Sequence, residues 1–380
     1  MKTIKLYDID SFCKEFTATV LKCEKNGENY EIILDRTAFF PEGGGQYSDT
    51  GIIGNANVLD VQIEDNIIRH ITDAPLTVNK TYDCKLNFEE RFDKMQQHSG
   101  EHIISGIVNT LYGYNNTGFH LSDNIVTLDF DGFLSADDIK RIEILANEAV
   151  HKNAKITAEY PDNETLKDTP YRSKLDLAED VRLVTIDGYD VCACCAPHVK
   201  NTGEIGIIKL LTTEKHKNGV RITIKCGMRA VLDYQNKHNL HTEISAKLKS
   251  PIDENAAAVN NLLAENERLK YEITGLKRKL CEIKLAEISR TDKNIIMPCD
   301  DADIQALRYI ADKGAQKCNT FVALGSTNGG YNFVACSKVT DLKALLPEIR
   351  EKLGLTGGGS SSMLQGKISA DITAVEEFFR

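Results

Sequence analysis

Over residues 1–86 apolar positions alternate with polar ones. "FTATVLKCEK", "YEIILDRT" and "IIRHIT" place β-branched residues singly or in clusters between turn signals, which predicts short strands. Strands this short fit a small closed barrel. From Phe88 the period changes: Phe92, Met95, Ile103, Ile107 and Leu111 recur at helical spacing with no proline between them, predicting a helix over 88–111. A strand is expected near "NIVTLDFDG" (124–132). A second helix is expected in "SADDIKRIEILANEAVHKNA", with Ser135 as N-cap, Asp138 three positions on, and a stripe of Ile139, Ile142, Leu145, Ala146 and Val150. "RLVTIDGYDVCACCAPHVKNTGEIGIIKLLTTEK" reads as strand, turn, strand. Residues 87–232 should therefore form a sheet with two helices packed on it, an α+β layout.

Residues 229–290 are polar, rich in alanine and lysine, and helical in pattern. Ser250-Pro251 interrupts them, with Ser250 as N-cap and Pro251 at the first helical position. Beyond it Leu262, Leu269, Leu276 and Ile283 repeat every seven residues, with Val259, Asn266, Ile273 and Leu280 at the complementary positions. That is a coiled-coil pattern, with Asn266 inside the seam where a polar residue can fix register. The helices either fold back on each other as a spacer or pair between subunits, and a homodimer is favoured. Residues 291–380 predict a small α/β domain with strands in "NIIMPCD", "TFVALGST" and "YNFVACS" and helices in "DADIQALRYIADKGA" and "DLKALLPEIREKLG". The run "GGGSSS" (357–362) follows the second helix as a glycine-rich loop. Such a run can cradle a phosphate with backbone N–H groups or be a plain flexible loop, but it lacks the Gly-Lys-Ser/Thr ending of a Walker A motif.

The chain therefore divides into a barrel-like segment (1–86), an α+β segment (87–232), a helical spacer (233–290) and a C-terminal α/β segment (291–380). With 380 residues and 42% apolar content, two or three domains with ordinary cores are expected. No run of about 18 apolar residues is present, so no membrane span is expected, and the start "MKTIKLYDIDSF" lacks the apolar region of a signal peptide. Eleven cysteines, scattered and odd in number, read as metal ligands and buried thiols of a cytoplasmic chain. The net charge of −10 excludes a uniformly basic nucleic-acid-binding face. Any RNA surface must be local, with candidates at Lys215, Lys217 and Arg221 and at Lys338, Lys343, Arg350, Lys352 and Lys367.

Candidate chemistry is concentrated in two short stretches, "QQHSGEHIISG" (96–106) and "CACCAPHVKNTGEIG" (192–206). His98 and His102, four apart on a helix, present their imidazoles on one face. Cys194 and His198 show the same spacing. Imidazole and thiolate are ligands that zinc takes in a tetrahedron, so the chain reads as a protein with one zinc ion held by two segments almost a hundred residues apart. By spacing alone, Cys192 or Cys195 could replace Cys194. The turn "PEGGGQ" (41–46) is either a tight hairpin or a place where backbone approaches a ligand closely.

"DRTAFFPEGGGQYSDTG" (35–51), the H-x-x-x-H, the C-x-x-x-H followed by "TGEIG", and "NGVRITIKCGMRA" come in an order that resembles the editing domain of alanyl-tRNA synthetase, and more closely the free-standing AlaX-type editing proteins. The resemblance covers about residues 1–232. "DLKALLPEIREKLGLTGGGSSSMLQGKI" (341–368) is similar to the glycine-rich close of the synthetase C-terminal domain, so the chain looks like the long form of these editors. The resemblance favours Cys194 as the cysteine ligand, with His98, His102 and His198. Cys192 falls where the synthetases often carry glutamate, a departure from the pattern.

The resemblance implies hydrolysis of the ester joining serine, or glycine, to tRNA(Ala), in trans, with Thr37 reading the serine hydroxyl. The logic is that of a second sieve, since a site that hydrogen-bonds a hydroxyl selects for it far better than an apolar pocket rejects it. Gly43, Gly44 and Gly45 would contact substrate, as would Gly357, Gly358 and Gly359. Gln46 would orient substrate or water, and Glu101 is a candidate general base, though a solvated helix residue is the plainer reading of it. Zinc would position substrate and activate a nearby water, or be a structural staple. A zinc-stapled tRNA-binding protein without catalysis, and a deacylase of another mischarged tRNA, are the alternatives.

Overall fold

The computed structural model describes residues 2–122, 124–173, 181–299 and 302–380. Asp300 and Asp301, at the joint between the first expected strand and helix of the C-terminal segment, lie outside the described residues. The fold is mixed α+β with several sheets and a long helix, and it packs as two compact units, Met1–Leu240 and His241–Arg380.

In the first unit, six strands close a barrel. They are β1 (Glu15–Asn26), β2 (Asn29–Leu34), β3 (Gly51–Ile53), β4 (Ala56–Glu64), β5 (Ile67–Thr72) and β6 (Thr81–Leu86), in the order β1-β2-β5-β4-β3-β6 with β6 returning to β1. Alternation decides what faces inward: on β5 Ile68, His70 and Thr72 are buried while Ile67, Arg69 and Ile71 are half-buried. Asp65 and Asn66, both left-handed, turn β4 into β5, the conformation a two-residue hairpin requires. Val20, Ile32, Leu34, Phe39, Phe40, Ile53, Val61 and Ile68 fill the interior.

The helix that follows, α1 (Phe88–Tyr112), runs one residue beyond the expected stretch and ends on left-handed Gly113. A four-stranded sheet is ordered β12 (Ile208–His216), β13 (Gly219–Cys226), β8 (Val126–Phe130), β7 (Asn116–Leu121). The helix α2 (Ala136–Lys152) packs against α1 and begins with the expected cap: Ser135 accepts from the Asp138 N–H, and the Asp138 carboxylate accepts from the Ser135 N–H. A three-stranded sheet, β9 (Ile156–Glu159), β10 (Leu183–Ile186) and β11 (Asp190–Ala193), also meets α1. The expected single strand before the cysteine turn is thus a hairpin, and a short 3-10 turn, Thr202–Ile205, precedes β12.

A simple amphipathic helix would leave one face of α1 in water. Instead α1 is buried on nearly every side from Met95 to Val108, polar residues included. Burying such groups is costly unless each finds a partner. Gln97 clamps the backbone of Cys226, donating to its carbonyl at 2.9 Å and accepting from its N–H at 2.7 Å. The Gln96 amide donates to the Glu204 carbonyl at 2.9 Å.

After α3 (Gly227–Leu248), the chain makes a 3-10 turn, Ile252–Glu254, and then α4 (Asn255–Ala286). The expected cap at Ser250 is not formed: Pro251 precedes the 3-10 turn, no side chain caps it, and the α-helix starts only at Asn255. Along α4, Val259, Leu262, Leu269, Ile273, Leu276, Leu280 and Ile283 are exposed. In the second unit a five-stranded sheet runs β14 (Ile295–Pro298), β15 (Thr320–Thr327), β16 (Gly330–Ser337), β18 (Met363–Ile368), β17 (Thr356–Gly359). Only the β14–β15 pair is parallel. One face packs on α5 (Ile304–Gly314) and the end of α4, the other on α6 (Leu342–Leu353) and α7 (Ile372–Phe379). The glycine run is a correction to the sequence reading: Gly357–Gly359 belong to the edge strand β17, and only Ser360–Ser362 turn. Backbone of β18 approaches Gly357 and Gly359 where a Cβ would stand, so glycine lets this edge pair tightly.

Candidate metal centre

The middle of α1 supplies His98 and His102, and the turn after β11 supplies Cys194 and His198. One ligand atom from each of these four residues lies within 4.8 Å of the other three, a cluster that could bind a metal ion. Cys194 Sγ stands 3.5 Å from His98 Nε2 and 3.4 Å from His198 Nε2. The three histidines are at most 3% exposed.

Each imidazole is held through its other nitrogen. His98 Nδ1 meets Gln46 Oε1 at 3.0 Å, His198 Nδ1 meets Ser99 Oγ at 3.0 Å, and His102 Nδ1 meets Asp190 Oδ2 at 3.1 Å. Donation from Nδ1 leaves Nε2 bare and aimed inward, the arrangement metal-bound histidines adopt. Burial, followed by the charge of the neighbouring imidazoles, holds His198 well below the ordinary histidine range and so neutral. Burial pushes the Asp190 carboxyl up, but hydrogen bonds from His102 and Arg172 outweigh it and hold the group below its ordinary value. Burial also pushes the Cys194 thiol up, a tendency a bound cation reverses.

Local sequence explains the convergence. At Gly106, a Cβ would come within 2.9 Å of Asp190 Cβ and still closer to the Tyr189 carbonyl, so glycine lets the β10–β11 hairpin lie against α1 and brings Asp190 to His102. The turn 41–46 is fixed by left-handed Gly44 and Gly45. Gly45 lies against the Phe119 carbonyl where a Cβ would clash, and its own carbonyl accepts from the Leu121 N–H at 3.0 Å. This seats Gln46 beside His98. Arg91 anchors the other side of the turn: wholly buried, it pairs with Asp49 and donates to the Ala38 carbonyl at 2.7 Å.

The structure brings some expected site residues together and separates others. Among the three neighbouring cysteines, Cys194 is the one in the four-residue cluster, Cys192 falls in a second group with His102 and Asp190, and Cys195 is exposed. Gln46 is buried, and its Nε2 has no hydrogen-bond partner among the described residues. Glu101 is buried rather than solvated: Oε1 accepts from Ser105 Oγ at 2.7 Å and Asn116 Nδ2 at 2.6 Å, and Oε2 lies 3.6 Å from His102 Nε2. Thr37 is buried at the barrel, bonded to His70 at 2.9 Å. Gly43 and Gly44 face Cys195, whereas Gly357, Gly358 and Gly359 belong to the second unit. Of the basic candidates, Arg221 is engaged by Asp129 at 2.6 and 2.7 Å, and Arg350 donates to the Gly357 carbonyl at 2.8 Å. Asp190, Ser99, Asn116 and His70 were not marked by the sequence, since no local spacing links them to their partners; Ser105 was missed too, although it lies four residues from Glu101 on α1. Among the described residues no helix is long and apolar enough to cross a membrane.

Residues 181–223 match the family "Threonyl and Alanyl tRNA synthetase second additional domain", and residues 9–91 match "tRNA synthetases class II (A)". The chain is 29% identical to the alanyl-tRNA editing protein AlaX-L of Pyrococcus horikoshii, over 96% of this chain and 95% of that protein. It is 27% identical to an alanyl-tRNA editing protein of Rattus norvegicus, over 94% of this chain and 92% of that one. It is also 29% identical to the alanine–tRNA ligase of Methanococcus vannielii, over 99% of this chain but 43% of the ligase. Matched over nearly its whole length and nearly theirs, the chain is a homologue of the alanyl-tRNA editing proteins.

Proposed function

We propose that this protein hydrolyses the ester of serine, and of glycine, on mischarged tRNA(Ala), acting in trans at a site containing one zinc ion. The observation that carries the reading is the convergence of three Nε2 atoms and one thiol sulfur, each imidazole braced from behind. A tetrahedral zinc, with Zn–N of about 2.05 Å and Zn–S of about 2.3 Å, requires N···S edges of roughly 3.5 Å. The Cys194 Sγ–His98 Nε2 and Cys194 Sγ–His198 Nε2 separations are 3.5 and 3.4 Å, so these approaches fit the edges of such a tetrahedron. Relatives named as alanyl-tRNA editing proteins match over nearly their whole length, which supports action in trans.

His98, His102, Cys194 and His198 would hold the ion, which when bound supplies Lewis-acid polarisation and orientation. The protein's own groups do the rest. Because Gln46 Oε1 accepts from His98, its Nε2 is the end left as a buried donor with no partner among the described residues; it is suited to an ester carbonyl or the attacking water. Glu101, its Oε1 held by Ser105 and Asn116, keeps Oε2 beside His102 Nε2 and is placed to take a proton from water. A cleft of about 490 Å³ lined by Gly45, Gln46, Tyr47, His120 and Arg221 gives the charged tRNA end a path to Gln46. Thr37 reads the serine hydroxyl. In this reading segments 1–86 and 87–232 carry the reaction. The helices over 233–290 and the segment 291–380, with Gly357, Gly358 and Gly359, serve tRNA contact and homodimer formation in the cytoplasm.

The test is deacylation of seryl-tRNA(Ala), with alanyl-tRNA(Ala) as control, by the wild-type protein and by Cys194→Ala. Release of serine alone, lost in the variant while the fold persists, is expected. No release from either substrate, despite bound zinc and tRNA, would favour a zinc-stapled binding protein. The matched family also serves threonyl synthetases, so equal activity on a mischarged tRNA(Thr) would move the substrate assignment there.

A further inference from the structure

Thr37 was marked by sequence, but its partner His70 was not, and the reaction outlined above leaves His70 without a role. His70 stands on β5, faces the barrel interior and is wholly buried. Its Nδ1 lies 3.1 Å from the Ile32 carbonyl oxygen. That oxygen can only accept, so Nδ1 carries a proton. Burial pushes this imidazole down to about 4, so at neutral pH it holds a single proton and Nε2 is bare. Thr37 Oγ1 lies 2.9 Å from Nε2, so the hydroxyl must donate its only proton there. The Phe39 N–H donates to the same Oγ1 at 3.1 Å. A hydroxyl offers one proton and two lone pairs. With the proton and one lone pair engaged, Oγ1 retains one acceptor position and no donor.

We propose that His70 is a specificity-positioning residue that, by taking the Thr37 proton, makes Thr37 an obligate acceptor for a hydroxyl on the esterified amino acid. The inference rests on Thr37 being the residue that faces that side chain. A free hydroxyl rotor would greet a donor or an acceptor alike. A locked one is matched only by a donor, and serine brings an O–H there. Alanine would press a methyl group against the remaining lone pair and seal it from water, leaving a buried acceptor unpaired. Glycine leaves room for a water to satisfy it. The expected order is therefore serine, then glycine, then alanine. The discrimination is set by a relay through the barrel wall, from the Ile32 carbonyl through His70 to Thr37.

The experiment measures kcat/KM for seryl- and glycyl-tRNA(Ala) with the full chain, as wild type, His70→Leu, His70→Gln, Thr37→Val and the double variant His70→Leu/Thr37→Val, with zinc content and melting followed for each. A lost hydroxyl match is expected to lower the serine-to-glycine ratio by at least about tenfold in His70→Leu, with zinc unchanged. His70→Gln, whose amide oxygen can accept the Thr37 proton, should recover most of the ratio and covers the case in which leucine does not fold. The double variant should be no worse than Thr37→Val alone, because one residue acts through the other. An unchanged ratio in folded His70→Leu, or additive losses in the double variant, overturns the role of His70. If Thr37→Val also leaves the ratio unchanged, the reading of Thr37 falls with it; if Thr37→Val alone abolishes the ratio, that reading stands and only the relay is lost.

Discussion

Asp190 Oδ2 lies 3.1 Å from His102 Nδ1, and the same carboxylate receives Arg172 through Nε at 2.7 Å and Nη2 at 2.6 Å. The pair ties the cysteine-bearing hairpin to the histidine-bearing helix through a side chain that is not itself in the four-residue cluster. It fixes the His102 ring and raises its basicity toward a metal. Such supporting carboxylates are typically worth about 10–100-fold in metal affinity. Asp190→Ala is therefore expected to weaken zinc binding by that range in a chelator competition. Unchanged affinity would mean the contact only packs the hairpin.

Glu101 gives a sharper test of chemistry. With Oε1 occupied by Ser105 and Asn116, Oε2 stays beside His102 Nε2. Glu101→Gln preserves shape and removes the base. Loss of a general base costs about 10²–10⁴-fold in rate, so kcat should fall within that range while zinc content stays at one per chain. A full rate in the glutamine variant would reduce Glu101 to a structural member of the Ser105–Asn116 network.

Arg91 and Asp49 form an ion pair with both side chains buried, at 0% and 2% exposure. Removing one partner of such a pair strands the other charge out of water and costs about 3–5 kcal/mol. Arg91→Met should destabilise the first unit by that much in urea denaturation. It should also loosen the glycine turn, because Asp49 bonds the Phe40 N–H and Arg91 the Ala38 carbonyl on the way into it. A stability within about 0.5 kcal/mol of wild type would be the outcome for an ordinary surface substitution and would show the pair contributes little.

What could be read from the chain alone was whatever depends on local spacing. The i,i+4 histidines on α1, the C-x-x-x-H turn and the Ser135 cap are short-range patterns, and each is seen. The braces behind the ligands were not legible, because Gln46 and His98, Ser99 and His198, and His102 and Asp190 are 52, 99 and 88 residues apart and meet only through the fold. Gly357–Gly359 resisted for a different reason. Glycine is disfavoured in strands, so the run read as a loop, whereas close backbone approach from β18 makes glycine the residue that fits there. Glu101 looked solvated because a polar helix residue usually is; its burial follows from the sheets that wrap α1.

His70 also carries a pH dependence. Its folded value of about 4 lies below the ordinary 6.5, so between those pH values the unfolded chain binds the extra proton. Stability then rises with pH across that window: the contribution is fully present above about 6.5 and is lost as pH falls toward 4. A shift of this size corresponds to about 3 kcal/mol. Denaturation of His70→Gln should show a flatter loss of stability between pH 6.5 and 4 than the wild type. Identical slopes would mean the imidazole is already charged in the folded protein or exposed to water.

On α4, Leu262, Leu269, Leu276 and Ile283 are exposed at 59%, 42%, 58% and 60%, and they recur at the seven-residue period of a coiled coil. A row of large apolar side chains in water is costly, at about 25 cal/mol per Å² of apolar surface, and pairing two such helices through this seam removes the cost. Within each chain Arg268 bridges Glu265 and Glu272 at 2.7 and 3.1 Å, so charges flank the apolar row. The full chain should therefore scatter light with a mass near twice 42.3 kDa. Leu269→Glu with Leu276→Glu, which places like charges in the seam of both partners, should return it to the single-chain mass while deacylation by the first unit persists. A wild-type mass of one chain would assign this seam to another partner or to none.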